Sequence, residues 1–371
     1  MEFNSVESVS AHTISPNLVV PLRPDDKAPS STELRSVSWY QTDLRKHLPE
    51  HIFLRTPTRA LLALVLVPLT FLSLYLIFAA ALPWYLKLLL VVVIGQCNVA
   101  MSFLAHETLH GSIVKAKWLQ NLIGFLGFAP YFISPTYWRF WHNNLHHGNT
   151  QLLYKDPDAF PTISVYKRSP FMRAIFPLTP GSGTKISLLY FFYWFPLQAV
   201  INQVSFRFKN KMWDKMDHRQ VTVEFAAICL LHAAYIWFIG RHDPLFLIVL
   251  PFLAQNYTNM SYVMTNHNLS PYTKVNDPLV NSLTVTNPKV LEFIHLNFGY
   301  HTEHHIFPRL SGRHAKVVHA KMRELYPDRF QVMPKWQALK LLYKTPRIYQ
   351  SATELIHPKT RATHATIPRL S

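Results

Sequence analysis

The sequence predicts an all-α integral membrane protein, with four transmembrane helices in two hairpins and a helical cap on the cytoplasmic side. Composition gives the first reason: 49% of the chain is hydrophobic and 14% aromatic, but only 15% is charged, where soluble domains carry about a quarter. The second is that the long uncharged stretches come in two pairs, each joined by a short turn. The third is that the polar and basic residues lie in the loops and at the chain ends.

In chain order, Met1 to Thr42 is polar and rich in Ser and Pro, without an early apolar core; it reads as a flexible tail and not as a signal peptide. Ala60 to Leu82, "ALLALVLVPLTFLSLYLIFAAAL", carries no charge. As a helix it would reach roughly 34 Å, enough for a bilayer core of about 30 Å. Pro83 and Trp84 turn the chain, and residues 85–105 run back with a single charge, Lys87, near the start, where it can snorkel. A second hairpin is expected from 221–240 and 244–265, joined by Arg241, His242 and Asp243. Two shorter stretches, 119–134 and 186–206, are interrupted by Gly, Pro, Asn and Gln, and are read as re-entrant or interfacial. The membrane domain is thus expected over 43–345, followed by a basic tail, 346–371.

Arg45, Lys46, Arg55 and Arg59 precede the first span, which by the positive-inside rule places the N-terminus on the cytoplasmic side. The net charge of +17 raises the question of nucleic acid. Basic residues spread beside membrane segments fit anionic headgroups better. Cys97 and Cys229 both fall inside predicted spans, which excludes a disulfide framework and any cysteine-based zinc or iron–sulfur site. No repeat of 20 to 50 residues is found.

Of the 20 histidines, eight lie in three groups flanking predicted spans: "HETLH" (His106, His110), "HNNLHH" (His142, His146, His147) and "HTEHH" (His301, His304, His305). Spacings of three and four put imidazoles on one helical face. Isolated histidines such as His12, His47, His51, His218, His357 and His364 are read as surface residues. His232, inside a span, is read as hydrogen-bonded within the bundle. Imidazole suits zinc, copper, nickel or iron alike. One tetrahedral ion uses four ligands, so eight imply two metal ions. A shared site needs an even number of crossings between groups, and the hairpin 221–265 supplies two. The expected cap therefore carries a histidine-ligated di-metal site at the cytoplasmic surface.

"HETLH", "HNNLHH" and "HTEHH" resemble, in order and spacing, the three histidine boxes of the membrane fatty acid desaturase family, and the resemblance covers roughly residues 55–345. It implies two iron ions (Fe2+) held by histidine, O2 as co-substrate, and removal of two hydrogens from adjacent methylenes of an acyl chain. A saturated chain offers neither an acidic proton nor an electrophile, so a metal–oxygen oxidant is the available chemistry. The family's further histidine ligand corresponds to His267; His295 is expected to be structural or to support a ligand. Some relatives use an asparagine four residues earlier to hold water. That position is Val263 here, so the role is absent or falls to Asn266, Asn268 or another residue.

Ligating imidazoles usually donate their other N–H to a carboxylate or carbonyl, and Glu107, Asp156, Asp158, Asp277 and Glu303 are the candidates. The aromatic runs 135–142 and 190–196 are read either as a tunnel lining or as an interfacial belt. No His-Pro-Gly-Gly haem motif is present, and the third box opens on His301, not Gln. A separate electron donor, a ferredoxin or cytochrome b5, is therefore expected to dock on the basic surface. The substrate is expected to be an acyl group on lipid or on a carrier. A related hydroxylase, ketolase or decarboxylase would share these boxes, whereas a metal transporter or sensor would need its ligands inside the spans.

Overall fold

The computed structural model describes residues 34–239 and 241–367. Among these, three helices are long and apolar enough to cross a membrane: 57–79, 84–109 and 218–239. Most of residues 1–42, expected as a tail, lies outside the described residues. Its end does not: helix α1 (Val37–Arg45) is capped by the Ser36 hydroxyl and buries Tyr40 and Leu44 in a small core with Ile306, Phe307 and Met322. The boundary expected at Thr42 thus falls inside a packed helix, because Tyr40 and Leu44, spaced by four, form an apolar stripe.

The first long helix ends in α2 (Ala63–Ala79), and its Leu64, Val65, Phe71 and Tyr75 are exposed. After the Leu82–Pro83 turn, α3 (Trp84–Leu109) runs back. It is the central helix, buried continuously from Val99 to Leu109 and packed against α2, against α4 (Lys117–Phe128) and against the later helix Leu250–His267. Contact with α4 depends on Gly127, since a Cβ there would lie 2.5 Å from the Met101 carbonyl oxygen and from the Ala105 side chain. The helix α4 has 12 residues and α6 (Tyr190–Val204) has 15. Each by itself falls short of the roughly 20 residues needed to span a bilayer.

Between them, α5 (Pro135–Trp138) continues into a π-helical segment, Arg139–His146. The long helix α7 (His218–Ile239) exposes Leu230, Trp237 and Phe238. His232 bonds to the Ile228 carbonyl of its own helix at 2.9 Å and stacks on Phe132. The fourth expected span forms a π-turn, Leu245–Val249, followed by α8 (Leu250–His267). It is not apolar enough to rank with the other three, because it faces the bundle: Gln255, Asn256, Asn259 and Asn266 are all buried. Asn98 donates to Gln255 Oε1 at 2.6 Å, Gln255 to the Pro130 carbonyl at 2.8 Å, and Asn259 to Ser102 Oγ at 2.8 Å.

Two short strands, Thr284–Thr286 and Val332–Pro334, pair in parallel around α9 (His301–Ile306) and α10 (Ala315–Leu325). Residues 346–367 do not form a loose tail. Arg347, 1% exposed, donates to the Asn268 carbonyl, Tyr349 to the Ser270 carbonyl at 2.5 Å, and Ile367 N to the Leu269 carbonyl. Ile348, Tyr349, Leu355 and Ile356 are buried, so this segment clamps the loop that follows His267.

Candidate metal centre

The three histidine groups meet where α3, the π-helical segment, α8 and α9 converge. Their imidazoles, with His267, form two clusters: His106, His110, His142, His147 and His304 in one, and His146, His267, His301 and His305 in the other. All nine histidines singled out in the sequence are therefore brought together. His295 is not among them; it bonds Tyr262 Oη at 2.8 Å and Gln96 Oε1 at 2.7 Å.

The partition depends on backbone geometry. In an α-helix, residues five apart point about 140° away from each other. Here the His147 N–H donates to the His142 carbonyl, the i→i+5 bond of a π-turn. This brings His142 and His147 to one side, with Nε2 atoms 3.1 Å apart, and leaves His146 for the other cluster. In α9, His301 and His305, spaced by four, enter one cluster and His304 the other. The single shared face expected for these three is thus divided.

Whether the second cluster can hold a cation follows from its protons. His267 Nδ1 lies 3.0 Å from the Asn281 carbonyl and must donate. His146 Nδ1 lies 3.0 Å from Asp156 Oδ1 and likewise donates. Thr150 gives its hydroxyl proton to the His146 carbonyl, so at 3.2 Å it accepts from His305 Nδ1. In the neutral rings all three Nε2 atoms are therefore bare lone pairs. They face one another at 3.2 Å (His146 to His267) and 3.1 Å (His267 to His305), with His301 Nε2 2.7 Å from His267. Lone pairs at that separation repel unless a cation lies between them. About 3 Å is the spacing of neighbouring donors around a metal bonded at about 2.1 Å. In the first cluster, His110 Nε2 is buried without a hydrogen-bond partner, and Nε2 atoms of His106 and His147 lie 3.0 and 3.1 Å from that of His142.

Burial, reinforced by neighbouring imidazoles, pushes His110, His142, His147, His301 and His305 well below the ordinary histidine range, and His304 to about 3. These rings are neutral at physiological pH, as metal ligands must be. His146 goes the other way: burial lowers it, but Asp156 and Asp158 raise it overall. A carboxylate that favours an imidazolium equally favours a cation at the far nitrogen.

Two of the five candidate carboxylates touch a cluster imidazole. Asp156 bonds His146, and Asp158 lies 3.4 Å from the same nitrogen. The other three serve the fold. Glu107 pairs with Arg59 at 2.7 Å and accepts from Ser311 Oγ and Gly312 N. Glu303 accepts from His319 Nδ1 and Thr284 Oγ1, both at 2.6 Å. Asp277 caps residues 278–281 and pairs with Arg329. Glu107 and Glu303, though next to His106 and His304 in sequence, turn elsewhere because neighbouring helical residues point about 100° apart.

Thr150 and Asn281 were not singled out. Thr150 stands four residues after His146, a usable signal; a backbone carbonyl such as that of Asn281 leaves none. Of the two asparagines flanking His267, Asn266 is fully buried with both amide atoms unpartnered among the described residues. The aromatic runs line the core beside the site: Trp138 stacks on His142 at 4.5 Å and meets His106 and His110 edge-on, and Tyr190, Phe191 and Phe195 are buried.

Nine clustered imidazoles, beside three helices long and apolar enough to cross a membrane, are compatible with a polyhistidine metal site. A sequence model of the fatty acid desaturase family matches residues 82–336. An sn-1 oleoyl-lipid 12-desaturase of Picosynechococcus is 23% identical over 330 residues, covering 83% of this chain and 90% of the relative. The chloroplastic omega-6 fatty acid desaturase of Arabidopsis thaliana is 22% identical over 328 residues, covering 85% of this chain and 70% of the relative. A shorter match, 36% over 77 residues, joins 20% of this chain to 21% of an sn-1 acyl-lipid omega-3 desaturase (ferredoxin) of Nostoc. The chain belongs to the fatty acid desaturase family, and is an oxidoreductase.

Proposed function

We propose that the protein introduces a double bond into a fatty acyl chain esterified to a membrane lipid, using O2 and two iron ions. His106, His110, His142, His147 and His304 would hold one iron, and His146, His267, His301 and His305 the other. The observation that carries this reading is the second cluster, where His146, His267 and His305 commit their Nδ1 protons outward and turn three Nε2 lone pairs toward one another. When bound, iron supplies oxygen activation and hydrogen-atom removal from unactivated carbon. The lipid substrate is supported by the names of the relatives, one of which also names ferredoxin. The overall change is balanced: one CH2–CH2 unit, O2, two electrons and two protons give CH=CH and two waters. The electrons come from a separate ferredoxin or cytochrome b5.

The chain's own residues orient and shield. Asp156, Thr150 and the Asn281 carbonyl fix three rings, while Trp138 and Phe298 close over His106 and limit water near the reacting carbon. The bundle is read as two hairpins of four spans, with α8 the inward-facing fourth and the site at its cytoplasmic end. The test is expression in a host lacking the activity, with iron counted per purified chain and products separated by gas chromatography. Two irons and a new olefin are expected, and His304→Ala should abolish the olefin and reduce the iron. A new alcohol or terminal alkene would refute desaturation, and a chain without iron would refute the metal assignment.

A further inference from the structure

The two clusters differ in what stands behind their ligands. We propose that they hold metal unequally: the four-histidine cluster is the retained site, the five-histidine cluster is the exchangeable one, and Thr150, Asp156 and Asn281 are the positioning residues that make the difference. This rests on the two-metal reading above.

In the four-histidine cluster, three outer nitrogens are fixed: His146 by Asp156, His305 by Thr150 and His267 by the Asn281 carbonyl. These supports are themselves joined. Asn281 Nδ2 donates to the Thr150 carbonyl at 2.6 Å. Gln151 N donates to Asp156 Oδ2 at 2.8 Å, and its side chain to the His267 carbonyl at 2.6 Å. All four ligands are buried. In the five-histidine cluster the outer nitrogens of His106 and His147 have no partner. Among the described residues no carboxylate, carbonyl or hydroxyl bonds any of its five rings, and His142, His147 and His304 are only half-buried.

A ring held before metal arrives loses less freedom on binding, and a carboxylate behind it raises its basicity. One additional imidazole favours the five-histidine cluster. Three supports, each worth about 10–100-fold in affinity, favour the other. His142, His147 and His304, less fully buried than any ligand of the other cluster, also leave a competing ligand a shorter way in, so release should start there.

The test uses full-length protein in detergent, loaded anaerobically with Fe2+ and then exposed to excess bipyridyl, with released iron followed by absorbance. Two phases of one iron each are expected, the first at least about tenfold faster. Asp156→Asn and Thr150→Ala should quicken the slow phase by about 10–100-fold and leave the fast phase unchanged, and Thr150→Ser should restore the slow phase. His304→Ala should remove the fast phase and keep one slowly released iron. If Asp156→Asn fails to fold, Thr150→Ala against Thr150→Ser makes the same comparison. Loading with two irons that leave in a single phase, or variants that quicken only the fast phase, would overturn the ranking alone. Loading with one iron would overturn the two-metal reading beneath it.

Discussion

Replacing Glu107 tests whether a carboxylate inside a histidine box serves the metals or the fold. Its side chain and that of Arg59 are 9% and 12% exposed, and they pair at 2.7 Å. Glu107 also accepts from Ser311 Oγ at 3.0 Å and Gly312 N at 3.1 Å. It thereby ties the start of the first span, the end of α3 and the loop after α9. Gly312 leaves no slack, since a Cβ there would meet Glu107 Oε1 at 2.9 Å and the Leu296 carbonyl at 2.7 Å. Glu107→Ala removes one partner of a buried pair, a loss of about 3–5 kcal/mol. Glu107→Gln keeps an acceptor and loses the charge, about 1–2 kcal/mol. A double-mutant cycle with Arg59→Ala should give a coupling of about 1–3 kcal/mol. The assay is reversible unfolding in mixed micelles, with iron counted on the folded fraction of each variant. Both variants should lose stability in that order and keep two irons per folded chain. A Glu107→Gln protein of wild-type stability that has lost iron would refute the structural role.

Two further outcomes are expected. Gly127→Ala should separate α3 from α4, because the new methyl would lie 2.5 Å from a backbone carbonyl that cannot rotate away; overpacking of about 1–3 kcal/mol or more should reduce the yield of monodisperse protein, and an unchanged yield would contradict the crossing. The metal-free protein should lose stability as pH falls below about 6.5. The buried imidazoles have folded values below the unfolded one, His304 at about 3, so in that window the unfolded chain binds more protons and is favoured by up to about 1.4 kcal/mol per pH unit for each ring. A flat unfolding profile from pH 7 to 5 would contradict neutral buried rings.

The histidines are legible because metal binding needs many imidazoles close in sequence and on helices. His267 was located by family resemblance; its role in the second cluster became clear only from Asn281 behind it. The five-and-four partition was not legible. Its cause is a π-turn at Arg139–His146, and local residue preferences do not announce such a turn. The inward face of α8 is not legible either, since Gln255, Asn256 and Asn259 dilute hydropathy whether a helix faces water or polar partners on α3. Composition marks both ends of the chain as tails, yet the described parts of each are packed. Single buried residues, Tyr40 in one and Arg347 in the other, anchor them through contacts more than 70 residues away.

The π-turn also constrains motion. His146 and His147 are neighbours in the chain yet serve different clusters, as do His304 and His305. Two peptide bonds therefore act as rigid spacers between the two ligand sets, one from each of two independent segments. The backbone reach from one residue to the next thus limits how far the two imidazole clusters can separate, leaving only side-chain torsions to adjust the distance.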